Sequence, residues 1–520
     1  MSAGERIADI VTNNARIRGD QPAVVHGTGI LTFAQFADRA LRLGNALAAA
    51  GLGHGDRVAI LAQNSPDFLV ICAACEAAGL IAAPINYRLA AREVRQIVDD
   101  LAPAAMFFDV AYAGTVEQIM ATGRDKCCRV AIDSGTDSAD SLTAMIAGAA
   151  ATPPAVTADA DDIALIVHTS GTTGRPRGAM LSQRALHAAA RMIADDGALT
   201  SADSGLIVQP LFHVGGRFLQ LAHHLAGAAI RLHRGFATEA VWADLASGAV
   251  TTAQFAPTMI EMLLATRPDA LPERFTLRAL YYSTAPIDEA LLREALAVFG
   301  PVFIQHYGAT ESGVVTTLAA GDHSVDGSKT QQRRLRSAGR PAPGVTVRIV
   351  DDQGDPLPAG ESGEIQALHP AVMSGYWHDD DATAAAFDGP WLKMGDIGYL
   401  DDDGYLYIVD RKKDLIISGG ENIYPREVEN ALNAHPAVAD CAVFGIPDAR
   451  WGETVCAAVV KEPGADVSAA DLIAHCRALI ASYKKPGRID FHAGLPRLAT
   501  GKIDKVSLRA PYWQGRDRKV

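Results

Sequence analysis

From about residue 30 onward the chain alternates between two spacings of apolar side chains. Thr32 and Gln35 form a capping box that opens a helix running through Ala49. Arg57–Leu61 has the short apolar run of a strand, Asp67–Ala78 the pattern of a helix, and Ile81–Ile85 that of another strand. Ala91–Leu101 is helical again, Ala104–Phe108 extended, and the apolar run Ile163–Val167 predicts a buried strand. Ser182 is placed to cap a helix beginning near Gln183. Strands alternating with helices predict parallel sheets covered by helices, an α/β architecture.

The tract Phe68–Ile85 is the longest apolar stretch, but Glu76, Gly79 and Pro84 interrupt it. It fits a buried helix followed by a strand, not a membrane span. Gly51, Gly53 and Gly55 follow a helix and precede a strand, the reverse of a dinucleotide fingerprint, so they predict a turn. Residues 133–161, rich in Ala, Asp, Ser, Thr and Pro, are expected to be a surface linker, and 321–337 a mobile polar loop. Beyond Tyr405 the character changes. A charge cluster at 410–414 is followed by about a hundred residues with their own strand and helix patterns, enough for a second, small domain.

At 520 residues, 49% hydrophobic and 21% charged, the composition is that of a globular protein with more than one domain. A formal net charge of −13 argues against a general nucleic-acid binder. The seven cysteines do not resemble a disulfide framework, and Cys72 and Cys75, one turn apart in an apolar helix, are expected to be core residues. Reduced thiols and an N-terminus without a signal-peptide pattern predict a cytoplasmic protein. Oligomeric state, a homodimer included, is left open by the sequence.

Candidate chemistry first appears in the stretch His168 to Gly178, with four hydroxyl side chains, three glycines and two arginines between a strand and a helix. Glycine lets backbone N–H groups approach a ligand, and hydroxyls and arginines suit phosphate oxygens. A Walker loop would need Lys followed by Ser or Thr at its end; here stand Arg177, Gly178 and Ala179. A polyphosphate grip and a plain Ser/Thr/Gly linker are the remaining readings of this stretch alone.

Four further stretches follow in order: Pro210–His213, Tyr307–Glu311, Trp391–Lys413 and Pro496–Lys502. Together with Thr169–Gly178, they resemble the motif set of the adenylate-forming superfamily, which includes acyl-CoA synthetases, luciferase and peptide-synthetase adenylation domains. The likeness is greatest to acyl-CoA synthetases. It implies a large N-terminal domain of helix-covered sheet subdomains (1–410), a hinge (411–413) with Lys413 as its pivot, and a small mobile C-terminal α+β lid (414–520). The implied substrates are a small-molecule carboxylic acid, ATP and coenzyme A, with Mg²⁺.

By the same resemblance Thr169, Ser170, Gly171, Thr172, Thr173, Gly174 and Arg177 hold the phosphates, Tyr307 stacks on adenine beside Gly308, and Thr310 meets the α-phosphate. Glu311 would be the metal ligand, Asp396 with Arg411 would bind the ribose, and Lys502 would bridge the carboxylate and α-phosphate. Gly419, Gly420 and Glu421 would face coenzyme A after the lid rotates. The acyl pocket would draw on Phe212, His213, Arg217, Phe255, Pro257, Ala285, Pro286, Gly308 and Val314, with His213 also among the catalytic residues. Two residues stand out: Arg177 stands where most members carry lysine, and Arg217 is either a partner for a second carboxylate or polar group on the substrate, or a surface or salt-bridged arginine. Transfer to a carrier-protein thiol or an amine, and a non-catalytic nucleotide-binding role, are the competing readings.

Overall fold

A computed structural model describes residues 6–27, 29–120, 127–132, 141–154, 158–169, 176–285, 287–418, 421–448, 450–497 and 502–514, without the side chains of Lys413, Glu421 and Asn422. The chain divides into two compact units, one of residues up to Val347 with Ala367–Leu392, the other of Arg348–Gln366 with Lys393 onward. Segments 348–366 and 393–410, expected within the large domain, thus group with the C-terminal residues.

The first unit is built on two mainly parallel sheets. One has seven strands in the order Gly375–Tyr376, Arg177–Ser182, Ile163–Thr169, Ile81–Pro84, Arg57–Leu61, Ala105–Phe108 and Cys128–Ala131. The other has nine, and its centre sets Ser204–Ile207, Thr252–Phe255, Ala279–Tyr282 and Phe303–Ala309 side by side and parallel. Parallel strands buried on both faces need near-continuous apolar runs, and Ala279–Tyr282 and Ile81–Pro84 are buried throughout. The Thr32–Gln35 capping box and the Ser182 cap form as expected. Cys72 and Cys75 are core residues of helix Pro66–Ala78, and all seven cysteines are free. No helix among the described residues is long and apolar enough to cross a membrane.

Two expectations are corrected. Within 133–161, helix Leu142–Ala147 is capped by Ser141 and buries Leu142 and Ile146, so part of the expected linker is a packed element. Within 321–337, Ser328 and Gln331 form a capping box that opens helix Lys329–Arg334, while Leu335 is buried in the core. In both, short polar cap residues disguised a helix as a loop.

In the second unit, residues 396–400 of strand Trp391–Leu400 pair antiparallel with Leu406–Arg411. Further along, Val438–Asp448, Gly452–Lys461, Ile416–Ser418, Glu421–Ile423 and Arg488–His492 form a five-stranded sheet. Helices Pro425–Asn433 and Ala469–Leu479 cover it through Val428, Leu432, Leu472 and Cys476, in a core drawn from residues 416–489. Within this unit, Asp410 is buried and accepts from the backbone N–H groups of Arg411 and Arg426, both at 2.7 Å. Burial pushes its carboxyl up to about 6 against the pull of those bonds and of Lys505.

Arg217, on helix Val214–Leu225, is 2% exposed and ion-paired with the equally buried Glu76 of helix Pro66–Ala78. Its guanidinium also donates to Gln220, whose amide meets His224 Nδ1 at 2.7 Å. Arg217 is therefore the salt-bridged arginine of the two readings and is corrected as an acyl-pocket residue. Breaking a buried ion pair from one side strands the other charge. We expect Arg217→Met to destabilise the protein by about 3–5 kcal/mol. Adding Glu76→Leu should restore most of the loss, both read as melting temperature; equal melting of single variant and parent would disprove the pairing's role.

Candidate active site

The first cluster is built by a hairpin. Strand Ile163–Thr169 returns antiparallel as Arg177–Ser182, and Thr169 stands opposite Arg177. The second strand has no sequence signal of its own, because Arg177 and Gly178 have the character of a loop end. Gly178 has a packing reason: a Cβ there would come within 2.8 Å of Ile166 Cγ2 and 3.3 Å of both His168 Nε2 and Trp377 Cβ. Burial holds His168 down to about 4, so its ring is neutral at physiological pH. Ser170, Gly171, Thr172, Thr173 and Gly174 lie outside the described residues.

Glu311 sits in the turn between strands Phe303–Ala309 and Gly313–Leu318. A side chain on Gly308 would collide with the Gly313 carbonyl oxygen, and Gly313 itself has φ +65°, so this turn requires both glycines. Glu311 Oε1 accepts from Thr169 Oγ1 at 3.3 Å and from Tyr376 Oη at 3.0 Å, while its backbone carbonyl accepts from Met373 N–H at 2.8 Å. Arg177 lies over the Tyr376 ring, 5.6 Å from its centroid, with Nε 3.4 Å from Asp379. Burial and the adjacent Glu311 carboxylate push the Tyr376 phenol up, so it stays a hydrogen-bond donor.

Tyr376 is a site residue that sequence reasoning does not find. Its strand is two residues long, Gly375–Tyr376, and pairs with Arg177–Ser182, too short to leave a periodic signal. The local clue is Gly375, whose φ of +142° lets the chain turn tightly against Thr383.

In the second unit, Asp396 is 4% exposed and its Oδ1 lies 2.9 Å from Arg411 Nε, across the paired strands that set the two residues opposite each other. Lys502 is exposed, and next to it Ile503 forms an antiparallel bridge with Arg497. Lys413 lies in the 3-10 turn Lys412–Asp414 between two strands. Glu421 opens strand Glu421–Ile423, and Gly419 and Gly420 lie outside the described residues.

Of the acyl-pocket candidates, His213 is the N-cap of helix Val214–Leu225, its ring 4.4 Å from that of the buried Phe212. Val314 is buried, Pro257 opens helix Pro257–Ala265, and Ala285 is exposed beside Thr284, whose φ of +77° is strained for a β-branched residue. Tyr307 and Thr310 are half-buried, Gly308 is exposed, and Pro286 is outside the described residues. Phe255 has no exposed surface and is packed among Trp242, Leu263 and Phe303 in the core. It is corrected from a ligand-facing to a core residue; Gln254, its neighbour on the strand, points to the opposite face.

An acceptor-only carboxylate held by two hydroxyls beside an arginine can organise a polyphosphate with a hard cation. If Tyr376 positions Glu311, Tyr376→Phe should lower kcat/KM for pyrophosphate release by about tenfold, the worth of one hydrogen bond to a charged group. Melting temperature should hardly move. Unchanged kinetics would show that Tyr376 positions nothing.

The family model described as AMP-binding enzyme matches residues 11–377, and the AMP-binding enzyme C-terminal domain matches 427–502. A fatty acid–[acyl-carrier-protein] ligase, ScoC, of Streptomyces coeruleorubidus is 37% identical over 96% of this chain and 95% of its own. A feruloyl-CoA synthase of an Amycolatopsis species is 37% identical over 96% of this chain and 97% of its own. The crystal structure of ATP-bound MatB from Rhodopseudomonas palustris is similar with a TM-score of 0.86 and 30% identity, covering 97% of this chain and 99% of that one. With its family models matched in order and two of its motif-bearing segments meeting at Glu311, the chain belongs to the AMP-binding enzyme family, the adenylate-forming enzymes.

Proposed function

We propose that this protein joins a carboxylic acid to coenzyme A through an acyl-adenylate, and that the observation carrying this reading is the meeting of Thr169, Arg177 and Tyr376 around Glu311. The enzyme is an AMP-forming acyl-CoA synthetase. Relatives named feruloyl-CoA synthase and indoleacetate–CoA ligase support coenzyme A as the acceptor.

In the first half-reaction the acid's carboxylate attacks the α-phosphorus of ATP and pyrophosphate leaves. No general base is needed, because a carboxylate is already ionised at neutral pH. Thr169 and Arg177, with the loop between them, hold the β- and γ-phosphates. Thr310 meets the α-phosphate, Tyr307 flanks the adenine, and Asp396, oriented by Arg411, accepts from the ribose hydroxyls. Lys502 places a cation against the charge that builds on phosphorus, and such electrostatic stabilisation supplies most of the catalysis in phosphoryl chemistry. Magnesium, when bound, would neutralise phosphate charge; it is usually held by one or two carboxylates plus the phosphates themselves, and Glu311 is of that kind.

In the second half-reaction the thiol of coenzyme A attacks the acyl carbon, the thioester forms and AMP departs. The small domain, 414–520, would turn about Lys413, withdrawing Lys502 and presenting Gly419, Gly420 and Glu421 to the pantetheine chain. His213 and Phe212 flank the acid. The self-contained core of residues 416–489 supports a lid that moves as a body. A carrier-protein thiol is the second reading, favoured by the likeness to ScoC. Incubation with ATP, acid and either coenzyme A or a phosphopantetheinyl carrier protein separates them; if no accepted acid yields a CoA thioester, coenzyme A is not the acceptor.

Removing the mobile cation should separate the two halves. Lys502→Ala should slow adenylate formation by about a hundredfold or more. Thioester formation from supplied acyl-adenylate should stay largely intact. Equal loss in both half-reactions would contradict the rotation.

A further inference from the structure

In an open sheet of parallel strands, ligands bind beyond the carboxyl ends of the strands. At that edge of the nine-stranded sheet, three adjacent strands end in polar residues. Gln209 lies two residues past Ser204–Ile207, Gln254 is the penultimate residue of Thr252–Phe255, and Ser283 directly follows Ala279–Tyr282. The first turn of helix Val214–Leu225 comes against them. A Cβ on Gly215 would stand 2.9 Å from Gln209 Oε1 and 3.9 Å from Gln254 Nε2, so the glycine lets the helix backbone approach both amides closely.

Gln254 is 6% exposed. Its Nε2 donates to Ser283 Oγ at 3.0 Å, while its Oε1 is buried with no hydrogen-bond partner among the described residues. A buried acceptor left unsatisfied costs about 1–3 kcal/mol. An acid group that donates to it removes that cost; an apolar group at the same place does not. Nothing in the apolar packing explains an amide here, since the neighbouring Phe255 fills the core on the other face.

We propose that Gln254, flanked by Ser283 and Gln209, is a specificity-determining residue, and that the acid activated by this enzyme carries a hydroxyl group that hydrogen-bonds to the Gln254 amide. A hydroxyl both donates and accepts, so its O–H can satisfy the Gln254 carbonyl oxygen. A second carboxylate is disfavoured. It is acceptor-only when ionised, and Arg217, the nearby arginine of the helix, is ion-paired with Glu76. This inference rests on the acyl-CoA synthetase reading, with the acid lying at the sheet's carboxyl edge.

The test is a comparison of matched acids by pyrophosphate release and thioester formation with coenzyme A: 4-hydroxycinnamic against cinnamic acid, and 8-hydroxyoctanoic against octanoic acid and octanedioic acid. Sites built to bind a substrate hydroxyl reject analogues lacking it by large factors. The unaltered enzyme should favour the hydroxylated member of at least one pair by about tenfold or more in kcat/KM, with the diacid the poorest of its set. Gln254→Leu and Ser283→Ala should each bring that ratio towards one, chiefly by raising KM for the hydroxylated acid. Equal use of both members of each pair, or a preference that survives in both variants, would overturn the inference while leaving the ligase reading intact. Failure of every acid to release pyrophosphate or form a thioester would overturn the ligase reading, and this inference with it.

Discussion

The Glu311 carboxylate constrains the first unit more than any other single group. It is half-buried and can only accept hydrogen bonds, so donors must be brought to it. Thr169 comes from the seven-stranded sheet, Tyr376 from that sheet's outermost strand, and the turn carrying Glu311 from the nine-stranded sheet. The bond from Met373 N–H to the Glu311 carbonyl ties the same segment again through the backbone. Two sheets are thereby registered against each other at the proposed polyphosphate site.

The geometry around that point is maintained by small residues under tight constraint. Gly178 keeps the second hairpin strand against Ile166 and Trp377, and Gly308 keeps its turn closed against Gly313. Thr284 holds a left-handed backbone that a β-branched residue adopts only when its surroundings impose it. These positions lie at or near the ends of strands whose interiors are largely buried. The strands supply rigidity, and their ends supply the exposed donors and acceptors.

Much of the architecture was legible in the sequence because its helices and buried strands carry strong periodicity and explicit caps. Thr32 with Gln35 and Ser182 marked helix starts that the structure reproduces. The helices at Leu142–Ala147 and Lys329–Arg334 were hidden because six residues give too few turns for an apolar stripe to emerge from a polar background. Side-chain direction was the other loss. The family resemblance put Arg217 and Phe255 among the acyl-pocket candidates, but could not tell that Arg217 turns inward to Glu76 or that Phe255 packs in the core. Tyr376 was illegible for a third reason: its place beside Glu311 arises from a strand pairing about 200 residues distant in sequence, between Gly375–Tyr376 and Arg177–Ser182.

The buried pair of Arg217 and Glu76 also bears on how such an enzyme can change during evolution. An arginine in the first turns of that helix lies close to the proposed acid site and looks available for recruitment to a new anionic substrate. Turning it outward, however, would leave Glu76 charged in the interior, with Gln220 and His224 losing their shared network. The step is open only after Glu76 has been replaced, and that replacement alone would strand Arg217. Each single change passes through a destabilised intermediate, so freeing Arg217 for any other partner meets an epistatic barrier set by the buried pair itself.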